Sequence, residues 1–158
     1  MKKAIAILTI LMFNLVSANE LTVKVSLSPA GSFEAKSTKV KGEVKKDGNK
    51  FTVENLWVKT EELKTGIDLR DEHFHKHLNF EKSPKISFTK ISAADGKGSG
   101  TLTVNDLPKV VPFTYKMISP NKIEATFNVK NSDFKLKDAS YMGIGVKDDV
   151  EIVAIIDV

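Results

Sequence analysis

Residues 101–129 read TLTVNDLPKVVPFTYKMISPNKIEATFNV, and apolar residues return in them at every second position. Leu102 and Val104, then Val111, Phe113, Tyr115 and Met117, then Ile123, Ala125, Phe127 and Val129 mark successive runs. Side chains of an extended chain alternate between two faces, so each run predicts a strand with one dry face and one wet face. Asn105-Asp106 and Ser119-Pro120-Asn121 separate the runs with residues that suit tight turns. Short turns between consecutive strands predict antiparallel pairing.

The same period extends to both sides. Leu21, Val23, Val25 and Leu27 alternate with Thr22, Lys24 and Ser26, and Val40, Gly42 and Val44 alternate with lysines and a glutamate. Lys46-Asp47-Gly48-Asn49 predicts a hairpin turn leading into Phe51 and Val53. Leu56 and Val58 continue that strand on the opposite parity, which predicts a bulge or sharp bend near Asn55. Ile86 and Phe88 form a further strand, Asp95-Gly96-Lys97-Gly98-Ser99-Gly100 reads as a flexible turn, and Val150, Ile152, Ala154 and Ile156 close the chain. Between Thr60 and Phe80 the alternation stops. Residues 69–79 there suit a short helix, with Asp68 or Asp71 near its start and Ser83-Pro84 beyond its end. The chain is therefore expected to be all-β and antiparallel, with roughly eight strands and one helical insert. A closed barrel or a sandwich would bury such a pattern.

The opening residues have a different character. Met1-Lys2-Lys3 is basic, Ala4 to Val16 is almost wholly apolar, and Val16-Ser17-Ala18 offers small residues for cleavage. This predicts a signal peptide over residues 1–18 and a single domain over 19–158, in a periplasmic or secreted protein. Loss of Lys2 and Lys3 with the leader would take the formal charge from +4 to +2. So small an excess, spread along the chain, argues against a nucleic-acid partner. The sequence contains no cysteine, which excludes disulfides, thiolate metal sites, a cysteine nucleophile and a lipoprotein anchor.

Few residues offer chemistry. His73 and His77 are one helical turn apart and could share a metal, but Asp71 and Glu72 fall on other faces and no third ligand is evident. With His73, His75 and His77 crowded into one segment, a catalytic triad has little support, and Gly143-Ile144-Gly145 lacks the surroundings of a dinucleotide loop. No enzymatic activity and no covalently held cofactor are expected. Arg70 is the sole arginine, and Asp71 follows it. Its planar fork could hold an anionic or carbonyl head group, or pin the insert to the rim through a carboxylate, and the second role is preferred. Lys36, Lys39, Lys41, Lys45, Lys46 and Lys50 outnumber Glu43 and Asp47 in one stretch, enough for transient contact with a membrane surface, although a solvated hairpin face is the preferred reading. Val23, Val25, Val40, Val53, Phe88, Leu102, Val104, Phe113, Phe127 and Ile152 are candidates for the barrel interior, as a solid core or as the lining of an apolar pocket.

Several of these segments together resemble the YceI-like family of exported, lipocalin-like barrels that bind polyisoprenoids. Leu63-Lys64-Thr65-Gly66-Ile67-Asp68-Leu69-Arg70-Asp71-Glu72-His73-Phe74, running on to Phe80, Pro84, Ile86 and Phe88, carries most of the likeness. Gly100-Thr101-Leu102-Thr103-Val104 with Lys109 to Pro112, and Ser132-Asp133-Phe134 with Asp149 to Ile152, carry the rest. The family's tryptophan and histidine-serine opening is absent, and Leu21 to Phe33 stands in its place. The resemblance implies an eight-stranded barrel around a noncovalently bound isoprenoid or other long-chain lipid, with the candidates above as its lining. It implies a structural or head-group role for Arg70, Asp71 and His73, and exposure of His75 and His77.

Overall fold

A computed structural model describes residues 18–136 and 138–158. The expected leader, up to Ser17, lies outside the described residues. Among them are ten strands: β1 (Glu20–Ser28), β2 (Ser32–Ser37), β3 (Lys45–Asp47), β4 (Lys50–Lys59), β5 (Lys85–Ala94), β6 (Lys97–Val104), β7 (Leu107–Ser119), β8 (Lys122–Lys130), β9 (Ser140–Tyr141) and β10 (Ile144–Asp157). One α-helix, α1 (Asp68–His77), lies between β4 and β5, close to its expected place. All the strand pairs are antiparallel in one curled sheet of order β2-β1-β10-β8-β7-β6-β5-β4-β3, with β9 on β10. Backbone hydrogen bonds between Lys36 and Lys64 (2.8 Å each way) and between Lys41 and Trp57 (2.8 and 2.9 Å) stitch its two flanks together. An all-β, lipocalin-like architecture with a helical insert is thus the observed fold.

The structure corrects several details. Val40, Gly42 and Val44 do not form a strand; residues 38–44 instead cross from β2 to the outer flank. The second strand is Ser32–Ser37, whose inward positions Phe33 and Ala35 are too few to stand out by period. The Gly-rich turn is shorter than expected. Only Asp95 (φ 53°) and Gly96 (φ 80°) make it, and Gly98 and Gly100 lie inside β6. Gly100 is needed there for close approach, since a Cβ would lie 2.8 Å from both Ile91 and the Phe88 ring. The lysine-rich stretch is partly neutralised, with Lys36 on Glu34 (2.8 Å), Lys39 on Glu62 (2.9 Å) and Lys45 on Glu54 (3.7 Å).

The parity change near Asn55 is a bend shared by two strands. Phe51 and Val53 face inward on β4 before it, and Leu56 and Val58 after it. On β5, Ile86 and Phe88 give way to Ile91 and Ala93 at the same level. The two strands stay in register throughout, with Val53 opposite Ile91 and Leu56 opposite Phe88. Lys90 (φ 52°) marks the irregularity, which appears against β6 between Thr89 and Ser92. Gly42 (φ 131°) rests on this bend, where a Cβ would overlap the Asn55 carbonyl.

The bend divides the interior. On one side Phe51, Val53, Ile91, Ala93 and Phe113 are all at least nine-tenths buried and form a solid core. Ring contacts run from Phe51 through Tyr115 and Phe113 to Phe88 and Phe127, with centroids 5.4–6.5 Å apart. On the other side the interior is hollow.

Candidate binding cavity

The hollow half encloses a cavity of about 960 Å³, near the upper end of the range for small-ligand sites. Val23 and Val25 of β1, Phe88 of β5, Leu102 and Val104 of β6, Phe127 of β8 and Ile152 of β10 line it, with Val40 from the crossing segment. Val53 and Phe113 do not line it. They point inward on the far side of the bend and belong to the solid core. Phe88 and Phe127, 5.4 Å apart, form the floor where core and cavity meet.

The insert covers one end. It leaves and rejoins the sheet at a single point, where the Thr60 N–H donates to the Pro84 carbonyl (2.9 Å) and Thr60 is fully buried. Asp71, Phe74, His75 and Leu78 follow the i, i+3, i+4, i+7 spacing of one helix face and are buried. Arg70, His73, Phe74 and His77 repeat that spacing one residue earlier and line the cavity. The helix therefore packs on the protein with one face and roofs the cavity with the next.

Asp71 fixes the roof. Its Oδ1 accepts from the Thr65 N–H and the Thr65 hydroxyl, both at 2.6 Å. Burial pushes its carboxyl pKa up, but these two hydrogen bonds and the nearness of Lys64 and His75 outweigh it, leaving the pKa below the ordinary value. Such a group adds stability above its unfolded pKa of about 3.9, and that stability is lost as pH falls through the lower folded pKa. Asp71→Ala strands two buried donors, so we expect a loss of about 2–4 kcal/mol in urea unfolding at neutral pH. The gap in melting temperature between wild type and variant should narrow steadily below about pH 4. A constant gap down to pH 2 would argue that the charge is not what holds Thr65.

Among the described residues Arg70 meets no carboxylate. It donates to the Thr65 carbonyl (2.8 Å) and lies 4.9 Å from the centre of the Phe33 ring, while Asp71, about 100° around the helix, serves the amide side of the same residue. The expected ion pair is thus replaced by a hydrogen bond and a cation–π contact. The Arg70 Nε is buried without a hydrogen-bond partner among the described residues.

The histidine expectations are also revised. His75 is buried, with Nε2 2.7 Å from the Leu63 carbonyl, because helical spacing puts it beside Asp71 and Phe74. His73 is exposed and His77 is half-buried. Burial lowers the His77 pKa, a side-chain hydrogen bond with Asn131 opposing, and its Nε2 has no hydrogen-bond partner among the described residues. Among the described residues no cluster of three histidines or acids could hold a metal.

Leu21, Phe33, Leu136, Val146 and Ile156 also line the cavity. Leu21 and Ile156 share the parity of residues already named, whereas Phe33 becomes evident only once β2 is known. Leu136 follows a 3-10 turn (Asn131–Phe134) that no period announces. Toward the roof the lining becomes polar and mainly basic, with Arg70, Lys76, Lys82 and Lys135 against Asp138. Elsewhere the walls are aliphatic and aromatic, suited to a long hydrocarbon chain rather than a polar molecule.

Comparison with known proteins agrees with this architecture. A polyisoprenoid binding domain from Saccharophagus degradans, implicated in plant cell wall breakdown, superposes with a TM-score of 0.63 at 14% identity, over 88% of this chain and 92% of that one. A mutant CJ YceI protein with a monobromobimane guest superposes with a TM-score of 0.58 at 22% identity, over 76% of this chain and 80% of that one. No curated protein matches the chain in sequence. The YceI-like domain model matches residues 15–157, nearly the full length, and the chain belongs to the YceI-like family.

Proposed function

We propose that the protein is an exported carrier that holds a long-chain apolar lipid of polyisoprenoid or isoprenoid-quinone type in the cavity between the β4–β5 bend and α1. The reading is one of binding, not catalysis. The observation that carries it is the apolar cavity of about 960 Å³, set beside a solid core in the same sheet. Each methylene moved from water into such walls contributes about 0.8 kcal/mol, so a long tail binds tightly without special contacts. The description of the Saccharophagus degradans neighbour as polyisoprenoid-binding supports the ligand class. The basic opening and apolar run of residues 1–16 support export.

The test is purification from the periplasm of the native host, followed by N-terminal sequencing, solvent extraction and mass spectrometry. We expect an N-terminus at Asn19 and a polyprenyl or quinone lipid near one per protein. Protein retaining Met1 would reject export. Protein that yields no lipid, even after incubation with polyprenyl and quinone tails, would reject the carrier reading.

A further inference from the structure

The hairpin between β9 and β10 carries an unusual tip. Tyr141 pairs with Ile144 and Ser140 with Gly145, so Met142 and Gly143 alone make the turn. Both have positive φ, 50° and 81°, the backbone of a type I′ turn. Asparagine, aspartate and glycine fill such positions at little cost, whereas methionine has no polar group to compensate the strain. Of the large hydrophobic side chains described as exposed, Met142 is the most exposed at 83%.

This tip stands at the cavity. Ser140 and Ile144, on either side of it, line the cavity, and Ile144 is itself 47% exposed. Ile67 and Leu69, at the start of α1, also line it while 53% and 59% exposed. Exposed apolar side chains thus stand at the rim among the basic residues of the roof. Around it Arg70, Lys82 and Lys135 enter no ion pair among the described residues, against Asp138 in the lining and the exposed Asp68 between Ile67 and Leu69.

We propose that this rim is a docking surface for an anionic lipid bilayer, with Met142 as its inserted anchor. The inference deepens the carrier reading and rests on it for the choice of partner, since a lipid carrier exchanges its cargo at a bilayer. Exposed apolar side chains flanked by cations are the combination that holds a protein in the interface of a negatively charged membrane. A tail leaving the bilayer past Leu69 and Ile144 would enter the cavity beside the basic side chains of the roof. The strain at Met142 then has a use, because it keeps an apolar side chain pointing into the medium.

The test is co-sedimentation of the mature chain with phosphatidylglycerol–phosphatidylcholine vesicles, with pure phosphatidylcholine vesicles as control. Wild type should pellet with the anionic vesicles, less with the control, and less at raised salt. Met142→Asn suits the turn better, so folding and extracted lipid should match wild type. Its partitioning onto anionic vesicles should fall about fivefold, the effect of roughly half a methionine's transfer free energy. Met142→Trp should restore binding and add a blue-shifted emission above that of Trp57. Wild type that stays in the supernatant, or Met142→Asn that pellets as wild type does, overturns the proposal. So does a wild-type dimer that dissociates in Met142→Asn, since the rim would then face a second copy. Lipid in the protein without vesicle binding rejects docking and leaves the carrier standing. Vesicle binding that depends on Met142, in protein that never takes up lipid, supports docking and rejects the carrier.

Discussion

Phe113→Ala should cost about 3–5 kcal/mol in urea unfolding, by the same amount in delipidated and lipid-loaded protein. Phe113 sits on the solid side of the bend, between Tyr115 and Phe88, and does not line the cavity. Removing its ring leaves a void that close-packed neighbours cannot fill, and no ligand reaches it. Phe127 makes the contrast. It is buried to the same degree but forms the cavity floor. Phe127→Ala should cost as much in empty protein and noticeably less when a tail is bound, because the tail can occupy part of the vacated space. Equal losses for Phe127→Ala in both states would mean that the ligand does not reach the floor.

Val104→Trp should weaken lipid retention by about thirtyfold or more while the fold survives. Val104 is buried on β6 and borders the cavity. In a solid core an indole at that place would overpack and cost about 1–3 kcal/mol of stability. In the hollow half it takes up space that a tail would use. Excluding two or three methylenes, at about 0.8 kcal/mol each, accounts for the expected loss of affinity. The measurement is extracted lipid per protein together with the melting temperature of the delipidated form. A folded Val104→Trp that still carries a full complement of lipid would show that this wall does not border the ligand.

The sheet was largely legible because most of its strands have one dry face, and period two survives in Leu21 to Leu27, Val111 to Tyr115 and Ile123 to Val129. β2 was not, since Ser32–Ser37 gives the period only Phe33 and Ala35 to show itself. Glycines misled in the opposite direction. Gly98 and Gly100 suggested a loop, whereas they thin a strand where rings lie against it. In the cavity, parity located Val23, Leu102, Val104 and Ile152, but it assigns Val53 and Phe113 inward just as firmly. Inward direction is a property of one strand; whether the space it faces is filled depends on side chains from every other strand. The histidines failed for a related reason. Helix spacing shows that His75 shares a face with Asp71, but not which face the sheet will cover.

The bend at Asn55 and Lys90 also fixes a length. It turns β4 and β5 at matched positions, so the floor stands wherever that turn is placed along the strands. Alternation forbids moving it by a single residue, which would send every following side chain to the wrong face. It can shift only by two, which is about 7 Å of tube. A relative with its bend two residues earlier or later would gauge a longer or shorter tail in discrete increments, as notches on a rule do.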